Sequence, residues 1–174
     1  MNTSHAPVYT TDDFARTTTT GQRAHSATTG SYAYATTTGD YAHATATGGH
    51  AHAATTGDYA HSATTGSYAY ATTAGNDAHA TATGYSAHAT TTGDYAHALA
   101  AGLRSNASVS GENAIAVAVG YNSSARAANG GFIVLAQYDE DTVVAVKTAQ
   151  VGRDGIKPDT WYKLSPTGEF VEAE

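Results

Sequence analysis

The chain contains no cysteine, and its 174 residues include only three prolines, one methionine and one tryptophan. Without thiols there is neither a disulfide framework nor a thiolate metal site, and the redox compartment leaves no mark. Charged residues make up 13% of the sequence and the net charge is −7. Nucleic acid and anionic membrane surfaces require basic patches, so neither is an expected partner. No apolar run approaches the roughly 18 residues of a membrane span, so no membrane insertion is expected. The opening MNTSHAPVYTTDDF has neither a basic n-region nor an apolar h-region, and does not read as a secretory signal. A virion- or phage-associated, a cytoplasmic or a non-classically exported protein would each be consistent with that. GxSxG, HExxH and P-loop signatures are missing as well, which predicts a non-enzymatic chain.

What is present is a beat. Glycine recurs every nine residues from Gly21 to Gly120, and Asp12 to Ala128 divides into thirteen nine-residue units such as GSYAYATTT (30–38) and GDYAHATAT (39–47). A fixed short period marks a repeat architecture whose units are stable only when stacked. Numbered from its glycine, each unit carries a small residue at positions 4, 6 and 8. Position 4 is alanine at Ala24, Ala33, Ala42, Ala51, Ala60, Ala69, Ala78, Ala87 and Ala96, the predicted core. Positions 3, 5, 7 and 9 hold Tyr, His, Arg, Asn and Thr. This alternation of period two is that of a strand with one buried face. A core of methyl groups brings two backbones much closer than the usual ~10 Å between sheets.

Nine residues cannot close a coil, whereas eighteen allow strand, turn, strand, turn. GSYAYATT recurs at Gly30 and Gly66, and HATAT at His43 and His79, which is two such coils apart. The expected fold is therefore all-β: a two-sided parallel β-solenoid of 9-residue repeats, two per 18-residue coil, with a C-terminal antiparallel β cap. Residues 1–11 are a lead-in or cap in which Ala6 could fill an alanine slot before Pro7. Residues 12–128 form the solenoid and 129–174 the capping module. On one face His25, His43, His61, His79 and His97 should form a column beside Tyr41, Tyr59 and Tyr95. The other face should carry Tyr32/Tyr34, His50/His52 and Tyr68/Tyr70.

Near the end of the repeats, GENAIAVAVGYNSSARA (111–127) puts Ile115, Val117 and Val119 at outward positions. The following segment is expected to cover them. Its strand-like runs are Phe132–Tyr138, Thr142–Val151, Trp161–Leu164 and Phe170–Ala173, separated by turn-forming stretches, which predicts a small meander closing the last coil.

GENAIAVAVGYNSSARA resembles the head repeats of trimeric autotransporter adhesins. The nonapeptides resemble short-repeat arrays of bacterial and phage proteins, often followed by a module similar to FIVLAQYDED…IKPDTWYKL. These resemblances imply a phage-fibre or surface-filament context and self-association as a trimer or filament, with other structural proteins or glycans as further partners.

The outward residues offer four surface chemistries. Exposed tyrosines (Tyr32, Tyr34, Tyr41, Tyr59, Tyr68, Tyr70, Tyr95) can contact glycans or protein by stacking and hydrogen bonding. The histidine column could ligate zinc, with a ladder of stacked rings on a solvated sheet as the plain explanation. Asp40, Asp58 and Asp94 at one corner could bind calcium, but aspartate is also a good turn residue and the GGxGxD pattern is absent. Otherwise no cofactor is expected. Thr-x-Thr at Thr36/Thr38, Thr45/Thr47, Thr81/Thr83 and Thr90/Thr92 resembles the arrays of ice-binding β-helices, with β-propensity as the plain explanation.

Overall fold

A computed structural model describes residues 7–153 and 155–173; the alanine slot proposed for Ala6 lies outside them. The N-terminal coils contain β1 (Val8–Thr10), β2 (Arg16–Thr20), β3 (His25–Thr29), β4 (Tyr34–Thr38), β5 (His43–Thr47) and β6 (His52–Thr56). The middle coils contain β7 (His61–Thr65), β8 (Tyr70–Ala74), β9 (His79–Thr83), β10 (His88–Thr91), β11 (His97–Ala101) and β12 (Asn106–Val109). The C-terminal part contains β13 (Ile115–Ala118), β14 (Ser124–Ala127), β15 (Phe132–Asp139), β16 (Thr142–Gln150), β17 (Tyr162–Leu164) and β18 (Phe170–Glu172).

Odd-numbered strands from β1 to β15 form one parallel sheet, and even-numbered strands from β2 to β14 form the other. Each strand pairs with the strand one coil away in a register of eighteen residues, as in His25↔His43↔His61. This is the two-sided parallel β-solenoid. All nine predicted core alanines are at most 1% exposed. The lead-in supplies a degenerate first rung, with Val8 in the register of Ser26.

Strands occupy only the second half of each unit. Residues at position 3, expected on the strand, instead sit in the turn with φ near +55°, as at Tyr32, Tyr41, His50, Tyr59 and Tyr68. In several units the carbonyl of the glycine accepts a hydrogen bond from the amide three residues on, as in Ala24 N to Gly21 O at 3.1 Å and Ser123 N to Gly120 O at 3.3 Å. The left-handed residue is what lets four residues reverse the chain. Such a φ disfavours a bulky side chain, so each of these tyrosines holds its corner against local preference.

The antiparallel cap is present but divided between the sheets. β15 is itself a solenoid strand, parallel to β13, and β16 folds back antiparallel along it. β17 pairs antiparallel with β14 and β18 with β17, which extends the other sheet. Between these two extensions the alanine core ends on Ile133, Leu135, Val151, Ile156 and Tyr162, with Leu164 and Phe170 packed alongside. The two largest fully buried side chains, Ile133 and Leu135, sit where no further coil must stack. Ile115, Val117 and Val119 are half-buried, and the segment that follows runs along the edge of their sheet as β15 and β16.

The core is not wholly apolar. Thr37, Thr55, Thr73 and Thr91 occupy one inward column, and their hydroxyls have no hydrogen-bond partner among the described residues. Val109 continues that column in register with Thr91, so valine already fits the slot. An unpartnered buried hydroxyl costs about 1–3 kcal/mol. Thr73→Val is therefore expected to stabilise by about 1 kcal/mol, raising Tm by roughly 2–4 °C for a chain of this size. A lower Tm by thermal denaturation would show that the hydroxyl is satisfied after all. Ser26 and Ser62 are buried and, among the described residues, unpartnered in the same way, whereas Ser105 Oγ donates to Gly84 O at 2.9 Å and Ser123 Oγ to Gly102 O at 3.0 Å.

Candidate functional site

With an 18-residue coil, every outward position becomes a column. Position 5 of the first sheet stacks the five histidines as predicted, with ring centroids 4.8 Å apart from His25 to His79 and 5.0 Å between His79 and His97. Tyr41 and Tyr59 stack at 5.0 Å beside it, and Arg23 lies over Tyr41. Asp77 takes the next corner slot, so Tyr95 falls outside this stack.

The other corner carries two ring columns side by side. At position 3, Phe14, Tyr32, His50 and Tyr68 stack at 5.2, 4.7 and 5.1 Å. At position 5, Tyr34, His52, Tyr70 and His88 stack at 4.7, 4.8 and 4.7 Å, with Arg16 over Tyr34. Offset-stacked rings contribute about 0.5–1.5 kcal/mol per pair, which opposes the strain of the left-handed corners. The tyrosines still present edges to solvent: Tyr32 and Tyr68 are 43% exposed and Tyr70 40%. All seven predicted surface tyrosines are outward, and all except Tyr95 belong to a stack.

The acidic corner has a backbone role. Asp58, Asn76, Asp94 and Glu112 each donate their amide N–H to the side-chain oxygen at the same corner one coil earlier, namely Asp40, Asp58, Asn76 and Asp94, at 2.8–3.2 Å. These bonds add to the backbone bonds that join the same turns, such as Tyr41 N to Asp58 O and Tyr59 N to Asn76 O, both at 2.9 Å. Imidazoles stacked face to face hold their in-plane lone pairs in parallel planes, so these do not converge on a point. Among the described residues no group of three or more His, Asp or Glu is arranged to hold a metal ion.

Stacking also fixes the acid response. Partial burial, then the neighbouring imidazole charges, lowers the pKa of His43 and His61 below the ordinary histidine value; His52 is lowered by burial and then by His50. His79 is lowered by burial and then His97, against an opposing Asp77, and His88 by burial alone. A base with a depressed folded pKa binds protons more weakly than in the unfolded chain. Its stabilisation is thus present above about pH 6.5 and drains away as pH falls through the folded value. Tm is expected to drop by a few degrees or more between pH 8 and pH 5. Replacing His43, His61 and His79 with tyrosine, which keeps rings in the column, should flatten that slope; an equal slope in wild type and variant would refute the assignment.

The geometry defines a two-sided parallel β-solenoid whose outer surface carries ring ladders and threonine rows. No protein-family model matches the chain, and comparison with curated proteins and with solved structures likewise finds no match.

Proposed function

We propose that this chain is a non-enzymatic structural and adhesive module of a phage fibre or surface filament. Its ring columns serve as a contact strip for a glycan or a protein surface. The reading is carried by the two-lane corner, where Tyr32/Tyr34, His50/His52 and Tyr68/Tyr70 repeat with coil spacing on a backbone that cannot adjust. Stacked rings give flat apolar faces at fixed intervals, while phenol and imidazole edges supply donors and acceptors. The resemblance read in the nonapeptides and in GENAIAVAVGYNSSARA implies the same setting.

Binding to a glycan array and to candidate surface proteins tests it, with wild type compared against Tyr32→Ser/Tyr68→Ser. Serine already occupies this corner slot at Ser86, so the fold should survive. At least tenfold weaker binding is expected, about 1.4 kcal/mol; binding that ignores both substitutions would exclude the strip.

One observation favours a second reading. Thr18/Thr20, Thr36/Thr38 and Thr90/Thr92 lie outward on the second sheet in coil register, a two-dimensional hydroxyl array of the kind ice contact requires. Ala54 and Ala74 interrupt it, and thermal hysteresis of the purified protein separates the two readings.

A further inference from the structure

Along the first sheet the outward chemistry changes towards the C-terminal end. From β3 to β9 it is histidine, threonine and alanine. In β11, Leu99 takes the register of Thr81, followed by Val117 of β13 and Val134 of β15. In the adjacent column, Ile115 follows His97 and Phe132 follows Ile115. The β16 arm places Val146 opposite Ala136 and leaves Val144 beyond it. Leu99, Phe132, Val144 and Val146 are 36%, 40%, 52% and 57% exposed. The outward positions of residues 97–101, 115–119, 132–136 and 144–150 include no Asp, Glu, Lys or Arg. The second sheet stays polar at the same level, with Asn106, Ser108, Ser124 and Arg126. The apolar face is therefore one-sided and four strands wide, with Leu99, Phe132, Val144 and Val146 exposed and Ile115, Val117 and Val134 half-buried.

We propose that this face packs against the same face of a second copy, giving a two-fold dimer joined near the C-terminal ends. Two identical faces share one strand spacing of about 4.8 Å, so rows of one can seat between rows of the other. The acidic residues of the repeats sit at the turns (Asp40, Asp58, Asp77, Asp94, Glu112) and those nearest the cap strands at the β15–β16 turn, so two copies can meet on this face without opposing like charges. The side chains expose roughly 500 Å² per copy, so pairing removes about 1,000 Å², the lower bound for a specific interface. An apolar centre depleted of charge is also the composition of homodimer interfaces. The inference is independent of what the ring columns contact.

Sedimentation equilibrium of the full chain across the micromolar range decides it. Wild type should pass from the 17.7 kDa monomer to twice that mass with rising concentration. Leu99→Thr/Val146→Lys should dimerise at least about tenfold more weakly while keeping the wild-type circular dichroism spectrum. Both changes are mild for the fold: Thr81 already fills the Leu99 column, and Val146 lies on the overhanging arm of the hairpin. A monomer at every concentration, an association of another order, or a dimer unchanged in the double variant would each overturn the proposal.

Discussion

Ala60→Leu is expected to lower stability by about 3 kcal/mol or more, and Tm by roughly 6–12 °C on the scale for chains of this length. Ala60 is fully buried, and its neighbours along the rod are the equally buried Ala42 and Ala78. His61 N bonds to Ala42 O and His79 N to Ala60 O, at 2.8 and 2.9 Å, so the spacing between coils is set by backbone hydrogen bonds. Three added carbons therefore have no direction in which to move the neighbours without breaking a ladder. The same added bulk near the cap meets a different situation. Ala127 shares its register with Val109, and the core beyond it already holds Ile133 and Leu135. Ala127→Val should thus cost under about 1 kcal/mol. Equal losses at the two sites would mean that the core yields like an ordinary hydrophobic interior, and the alanine layers would not be what sets the coil.

How much of this was legible follows from what a periodic sequence can encode. The coil length could be read because chemistry repeats at it: histidine returns every eighteen residues from His25 to His97, and tyrosine alternates with histidine at the other corner. Buried positions could be read because every small residue at position 4 faces inward. The left-handed corners were hidden, since tyrosine has no preference for positive φ. Only Asp77, Asn113 and Asn122 in the same slot hinted at it, being residues that tolerate that conformation. The amide-to-carboxylate ladder of Asp40, Asp58 and Asp94 was equally hidden, because aspartate in a turn looks the same whether it faces water, calcium or the next coil. At the C-terminal end the strands were visible from their β-branched residues, but their partners were not. β16 and β17 join different sheets, a choice that depends on contacts distant in sequence. The apolar face was glimpsed at Ile115 and Val117, while its continuation through Leu99, Val134 and Val146 required the register.

The second large effect concerns the glycine beat itself. Gly57 has φ of +143°, and a Cβ added there would collide with the carbonyl oxygen and carbon of Gly39, one coil below. Both terms act together: an L side chain is strained in that conformation, by about 1–3 kcal/mol, and the obstructing atoms are backbone that cannot swing aside. Gly57→Ala is therefore expected to destabilise by about 3 kcal/mol or more. Because each coil contacts only its neighbours, the damage should be polar along the rod rather than uniform. The coils before Gly57 lose their contact with the large C-terminal core cluster and retain only alanine layers and ring stacks. Hydrogen exchange should thus accelerate from β2 to β6 while β11 to β15 keep wild-type protection. Gly49→Ala provides the control, since nothing lies within 4 Å of a Cβ there and its Tm should match or exceed wild type. If Gly57→Ala also melted like wild type, the close passage of successive corners would be wrong, and with it the tight coil that aligns every column on the surface.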